Sequence, residues 1–114
     1  MSRASRAATG LPPQSRRAIL RLGKDIATAR KRRRISQRLM AERMLVSLQT
    51  LQRLEAGDPT VGLATLASAL FALGMTQRLA ELAAPESDAA GTAEEIARLP
   101  ARVRPSTEPL DLDF

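Results

Sequence analysis

The alternation of apolar and polar positions along the chain predicts an all-helical domain between residues 15 and 84. Ile19, Leu22, Ile26 and Ala29 recur at the spacing of a helix with one buried face, which Ser15 begins and Arg34 ends. Two short helices then fill residues 35–57. A fourth helix follows from the apolar positions Leu63, Leu66, Ala67, Leu70 and Leu73, and Thr76 begins a fifth.

The segment 35–57 has the start and stop signals of two helices joined by a tight turn. Ser36 and Ser47 can each cap a helix, since a serine oxygen accepts a hydrogen bond from an unpaired N–H of the first turn. Gly57 can end the second helix in a left-handed conformation. We therefore expect a helix-turn-helix unit here.

The second of these helices separates into an apolar face and a polar face. Val46, Leu51 and Leu54 can turn toward a core, which leaves a second set of side chains on the opposite side. Glutamine can pair with adenine, and arginine with guanine, through two hydrogen bonds in the major groove. We therefore predict base contacts from Leu48, Gln49, Gln52 and Arg53, with Leu48 suited to a thymine methyl group.

This segment resembles the helix-turn-helix of the Xre/Cro family of bacterial and phage repressors. The residues in the family register are Ser36-Gln37, Ala41, Val46-Ser47, Gln49-Thr50, Arg53, and Glu55 followed two positions later by Gly57. The resemblance implies a five-helix, lambda-repressor-like domain with a partly disordered C-terminal tail. The chain departs from the family at the turn, where Leu45 replaces the usual glycine. A leucine at positive φ costs roughly 1 kcal/mol, so the turn is either strained or differently shaped.

The resemblance also assigns roles to particular residues. It implies that Arg30 and Glu55 form a structural ion pair inside the fold, and that Gln37 binds a DNA phosphate. From their positions we expect further backbone contacts from exposed cations and hydroxyl groups. These are Lys31, Arg32, Arg33, Arg34, Arg38, Arg43, Ser47 and Thr50.

The composition supports a nucleic-acid partner and lacks the residue types that most often serve in catalysis. The chain lacks Cys and His and has only two Phe among its 114 residues, so we expect an aliphatic core, no catalytic residues, no metal and no cofactor. Through Arg53 there are fourteen Arg and Lys against two acids, whereas the remainder has ten acids against four Arg. A basic half followed by an acidic half predicts a DNA-binding face and a separate face for another partner.

We divide the chain into a flexible basic arm (1–14), the DNA-binding domain (15–84) and a tail (85–114). In the tail, Leu110, Leu112 and Phe114 alternate with acids and suit a segment that orders on a partner. The run from Gly57 to Gly74 and the later Arg98-Leu99-Pro100-Ala101-Arg102 are similar to HipB-type antitoxins, which pair with HipA-type serine/threonine kinase toxins.

The expected function is therefore that of a homodimeric transcriptional repressor that binds an inverted-repeat operator, controls its own operon and binds a HipA-type kinase. Two alternatives stay open, namely a stand-alone or phage-type repressor and a protein-interaction module that has lost DNA binding. No secretory signal or apolar span is evident, so we expect a cytoplasmic protein.

Overall fold

A computed structural model describes residues 5–100, and within this range all regular structure is helical. A division between Ala80 and Glu81 separates two compact units. The helices of the first unit are α1 (Arg6–Thr9), α2 (Pro13–Arg32), α3 (Gln37–Met44), α4 (Leu48–Glu55), α5 (Leu63–Ala72) and α6 (Thr76–Ala80). The five helices α2 to α6 form the domain expected from the sequence, so the predicted fold class is confirmed.

The core of the first unit lies where α4 packs against α2 and α3, while α5 packs against α3 and α6. Its side chains are aliphatic, methionine or alanine, as the scarcity of aromatic residues predicts. Met40 and Leu51 are completely buried, and Phe71 is 76% exposed. The buried set is Ile26, Ala29, Ile35, Met40, Ala41, Met44, Leu51, Leu54, Ala69 and Leu73.

The N-terminal segment differs from the flexible arm expected over residues 1–14. Ser5 accepts a hydrogen bond from Ala8 N at 2.9 Å and thereby caps the single-turn helix α1. Helix α2 begins at Pro13 rather than at Ser15, because a proline in the first turn has its φ already set and lacks only an N–H that would be unpaired there. Helical turns therefore occupy part of the segment that the sequence assigned to the arm, and its expected flexibility stays a prediction.

Two apolar positions predicted to be in the core are instead exposed. Leu22 is 37% exposed and Leu63 is 71% exposed. The inner face of α2 is set by Gly23, where an added Cβ would lie 2.6 Å from the carbonyl oxygen of Glu55. Only glycine permits this close approach of α2 to the end of α4, and the approach turns the neighbouring Leu22 outward. Leu63 is the first residue of α5, and the buried residues of that helix are Ala69 and Leu70, in its second half.

Four helices of the first unit end in the same way. In each, a residue with positive φ follows the helix, and the N–H after it donates to the carbonyl five positions earlier. This is the Schellman arrangement, which pairs carbonyls that a helix end leaves open. The positive-φ residues are Arg34 (55°), Leu45 (58°), Gly57 (78°) and Gly74 (76°).

The second unit contains, within the described residues, a 3₁₀ turn at Pro85–Ser87 and helix α7 (Ala89–Ala97). The Asp88 side chain accepts from Gly91 N at 2.9 Å and caps α7. The tail residues predicted to bind a partner, Leu110, Leu112 and Phe114, lie outside the described residues.

Candidate nucleic-acid interface

Helix α4 is fixed to the domain at both ends and along one side. Ser47 accepts from Thr50 N at 3.0 Å and donates to the Thr50 hydroxyl at 2.9 Å, which closes the first turn. Leu51 and Leu54 are buried beneath the helix, at 0% and 7% exposure. Gln49 and Gln52 are exposed on the opposite side of α4. Leu48 and Arg53 are half-buried.

The sequence left open whether the turn at Leu45 is strained or differently shaped. The structure has the strained turn. Leu45 adopts φ 58° and ψ 39°, while Ser36 caps α3 by accepting from Leu39 N at 3.1 Å. The Leu45 side chain is 92% exposed, so packing does not repay the backbone strain. The strain belongs to the connection that sets the angle between α3 and α4.

The Arg30–Glu55 pair joins α2 to the last turn of α4 inside the fold. Arg30 Nε donates to Glu55 Oε2 at 2.7 Å and Nη2 donates to Oε1 at 3.0 Å, which is a bidentate contact. Arg30 Nη1 donates to the carbonyl of Ile35 at 3.0 Å. The side chains are 8% and 7% exposed, so the pair serves the structure and is inaccessible to DNA.

Gln37, predicted to bind a phosphate, lies in a hydrogen-bond chain that runs from the ion pair to the surface. Its Nε2 donates to Glu55 Oε1 at 3.0 Å, and its Oε1 accepts from Gln52 Nε2 at 3.3 Å. The amide of Gln37 therefore orients Gln52, which is exposed.

Arg53 is held at one end of the exposed face of α4 by the loop that follows the helix. Its Nε donates to Asp58 Oδ2 at 2.9 Å, and its Nη2 donates to the Thr60 hydroxyl at 2.7 Å. The Arg53 side chain is 42% exposed and that of Asp58 is 31% exposed. The guanidinium thus has fixed partners on one edge and still reaches solvent.

The Asp58 carboxylate is completed by Thr60, whose hydroxyl and backbone N–H donate to Oδ1 at 2.7 and 2.8 Å. The Thr60 hydroxyl, then the Thr60 N–H and the Arg53 guanidinium, lower the pKa of Asp58 from 3.8 to about 2 against the opposing effect of burial. Asp58 is therefore charged at every pH where the protein would meet DNA.

The cations predicted to contact the DNA backbone are exposed. Arg33 also donates from Nη1 to the carbonyl of Ala29 at 2.8 Å, which gives a hydrogen-bond partner to a backbone carbonyl in the last turn of α2. Arg34 holds the positive-φ position after that helix. The exposed set at the end of α2 and on α3 is Lys31, Arg32, Arg33, Arg34, Arg38 and Arg43.

Sequence reasoning assigned no role to Asp58 or Thr60. A signal was present, because an Asp two residues before a Thr commonly accepts from that residue's N–H. The position of Asp58 directly after the helix-ending Gly57 directs its backbone N–H toward Arg53, to whose carbonyl it donates at 3.1 Å.

The part of the chain that the structure describes holds no cluster of three or more acidic, His or Cys side chains suited to a metal ion. In the same range, none of the helices combines the length and apolarity that crossing a bilayer requires.

Residues 26–74 match the family model described as Helix-turn-helix. The matched span begins within α2 and runs through α3, α4 and α5, so the geometry above is that of a helix-turn-helix domain. The match supports a DNA-binding transcription regulator. No curated protein and no solved structure gives a significant match to the chain.

Proposed function

We propose that the protein is a sequence-specific transcriptional repressor that inserts α4 into the major groove of an inverted-repeat operator. The observation that carries the proposal is the exposed polar side of α4. Gln49 and Gln52 project from a helix whose opposite side is locked by Leu51 and Leu54. Amide groups on a rigid helix suit the two-bond pairing with adenine that the major groove permits.

The basic residues around α4 supply attraction to the duplex without regard to sequence. The exposed cations of α2 and α3 can neutralise phosphates on both sides of a groove occupied by α4. The capping hydroxyl groups of Ser47 and Thr50 lie at the N-terminus of α4, where backbone N–H groups favour a phosphate. In this arrangement phosphate contacts place the helix and base contacts select the site.

The homodimer in this proposal is supported by the exposed side of α5. Leu63 and Phe71 lie two turns apart on that helix and are 71% and 76% exposed, and the helix carries no charged residue. Large apolar side chains gathered on an uncharged helix are typical of a surface that associates. A two-fold pair would present two copies of α4 about 34 Å apart, which matches one turn of DNA.

The finer assignment, an antitoxin that binds a HipA-type kinase and represses its own operon, rests on the sequence resemblance. The sequence after Arg53 has an excess of acids, unlike the basic sequence before it, and Leu110, Leu112 and Phe114 are the residues expected to bind the kinase. A stand-alone repressor would need no such segment.

The test of DNA binding is a selection of duplexes from a randomised library by the full chain. We expect an inverted repeat to be enriched. Binding to the enriched duplex should weaken roughly 10³-fold or more between 50 and 200 mM salt, since about six or more phosphates would be neutralised. A flat salt response, or no enriched sequence, would overturn the proposal.

Base contacts and phosphate contacts can be separated by paired variants. Gln49→Ala should lower the preference at one base pair by roughly 1–3 kcal/mol, whereas Arg38→Ala should weaken binding evenly across sequences and reduce the salt slope by about one. Arg98→Ala, which removes an exposed cation of the second unit, is the control and should change neither quantity.

The kinase partner is tested by co-expression with the product of the adjacent gene. The antitoxin assignment predicts a stable complex that releases when residues 105–114 are deleted. A repressor that binds its operator and captures no kinase would be of the stand-alone type. A chain that captures a kinase but gives no enriched duplex would be an interaction module.

A further inference from the structure

Arg53 presents a defined edge of its guanidinium because the opposite edge is occupied. A guanidinium is a planar fork of five N–H groups. Asp58 takes the Nε hydrogen and Thr60 takes a hydrogen of Nη2, and these two donors lie on the same side edge of the plane. The edge between Nη1 and Nη2 has no acceptor among the described residues.

That remaining edge is the one that matches guanine. Two parallel N–H groups can donate to guanine O6 and N7 at once, which is the commonest specific contact of arginine in the major groove. The Arg53 side chain is 42% exposed, and this edge is the part of its guanidinium without a partner among the described residues. Asp58 and Thr60 therefore leave two parallel N–H groups of Arg53 available to a base.

The partners are themselves anchored by backbone. Gly57 has a positive φ and reverses the backbone at the end of α4. Asp58 N then donates to the carbonyl of Arg53 at 3.1 Å. Thr60 N then fixes Asp58 Oδ1 at 2.8 Å, with Pro59 between them. An arginine with four rotatable side-chain bonds would otherwise sample many orientations and lose entropy on binding.

We propose that Asp58 and Thr60 are specificity-determining positioning residues, which hold the Arg53 guanidinium so that its outer edge meets a guanine. The inference rests on the proposed function and adds residues to it. Neither residue needs to touch the DNA. Both act through Arg53, whose partners they already are in the unbound protein.

The charge of Asp58 allows its positioning role to be distinguished experimentally from a purely structural role. A carboxylate beside Arg53 offsets the attraction of that arginine for phosphates, which are present at every sequence. Its removal should therefore tighten binding to unrelated DNA while weakening the choice of guanine. Loss of folding would weaken both.

The experiment uses the full chain and the duplex enriched from the randomised library, together with duplexes in which each base pair is changed in turn. Wild type should prefer guanine at one base pair per half-site by about 5- to 150-fold. Asp58→Asn should lower that preference about fivefold or more, with binding to an unrelated duplex unchanged or tighter. Glu94→Gln removes a carboxylate of the second unit and serves as the matched control.

Thr60 and Arg53 provide the second set of variants. Thr60→Val should lose preference at the same base pair, and Thr60→Ser, which keeps the hydroxyl, should retain most of it. Adding Asp58→Asn to Arg53→Ala should change the remaining preference by less than about twofold, because the two residues act as one unit.

The outcomes separate this inference from the function on which it rests. An enriched duplex whose guanine preference survives both Asp58→Asn and Thr60→Val, in variants that fold by circular dichroism, would overturn the positioning role alone. Equal loss at every base pair would also overturn it, since that outcome indicates a structural role. No enriched duplex with wild type would overturn both proposals.

Discussion

Two arginine–carboxylate pairs at the C-terminal end of α4 have similar lengths and opposite surroundings. Arg30 and Glu55 approach to 2.7 Å with side chains 8% and 7% exposed, while Arg53 and Asp58 approach to 2.9 Å with side chains 42% and 31% exposed. The inner pair is surrounded by protein donors and acceptors. The outer pair is partly exposed, and one edge of its guanidinium has no partner among the described residues.

The difference shows that burial, more than the distance between the charges, decides what such a pair does. A buried pair must have all its groups satisfied, because any unpaired charge there costs several kcal/mol. A half-exposed pair contributes about 1 kcal/mol or less to stability, and it can hold a donor in place for a ligand. One short stretch, Arg53 to Asp58, therefore contributes to the fold on one side and, in the proposed function, to base recognition on the other.

The largest effect should come from breaking the inner pair. Glu55→Gln leaves Arg30 buried without its counter-charge, so the free energy of unfolding should fall by about 3–5 kcal/mol. Urea denaturation followed by circular dichroism measures the change. Asp58→Asn, the matching change in the outer pair, should cost about 1 kcal/mol or less; equal losses in the two variants would contradict the distinction.

The next effect concerns Gly57, which separates the two carboxylates along the chain. An alanine there would need φ near 78°, and its Cβ would lie 2.7 Å from Cα of Leu20. We expect Gly57→Ala to cost at least about 2 kcal/mol in thermal or urea unfolding. Gly74→Ala is the control, since its φ is 76° with nothing within 4 Å, and it should cost only about 1 kcal/mol.

A smaller effect is the pH dependence of the outer pair. The folded pKa of Asp58, about 2, lies below its ordinary value of 3.8, so its contribution to stability is complete above about pH 4 and is lost as the pH falls toward 2. The stability difference between wild type and Asp58→Asn should stay constant above pH 5 and shrink between pH 4 and pH 2. A constant difference down to pH 2 would show that the charge of Asp58 does not contribute.

The smallest effect should come from the other end of α4, at the turn that contains Leu45. Leu45→Gly relieves the positive-φ strain but adds freedom to the unfolded chain, so we expect a net gain of about 0.5 kcal/mol. Leu45→Ala, which keeps the strain, should show no gain in the same unfolding experiment. If glycine destabilises more than alanine, the turn is not strained in the way its φ indicates.

Much of the domain was predictable because local chemistry and helical period determine it. Ser36 and Ser47 are caps whatever surrounds them, and the glycine at position 57 indicates a helix end. The buried side of α4 follows from the spacing of Leu51 and Leu54. The inner ion pair came from the family resemblance, since no periodicity relates Arg30 to Glu55 across 25 positions.

What the sequence could not provide depends on how helices approach one another. The inward face of α2 is decided by the close contact at Gly23, and Leu22 is exposed as a result. The partners of Arg53 depend on the path of the loop after Gly57, which helical spacing does not describe. The assignment of Leu63 to the core was wrong because the buried part of α5 is its second half, at Ala69 and Leu70, whereas Leu63 begins the helix.

The most direct test of the central claim, that α4 recognises bases in the major groove, is methylation interference at guanine N7 on the enriched duplex. The account predicts that a methyl group at one guanine per half-site weakens wild-type binding about tenfold or more and leaves Arg53→Ala binding unchanged. If methylation at every guanine N7 left wild-type binding intact, α4 would not contact guanine in that groove.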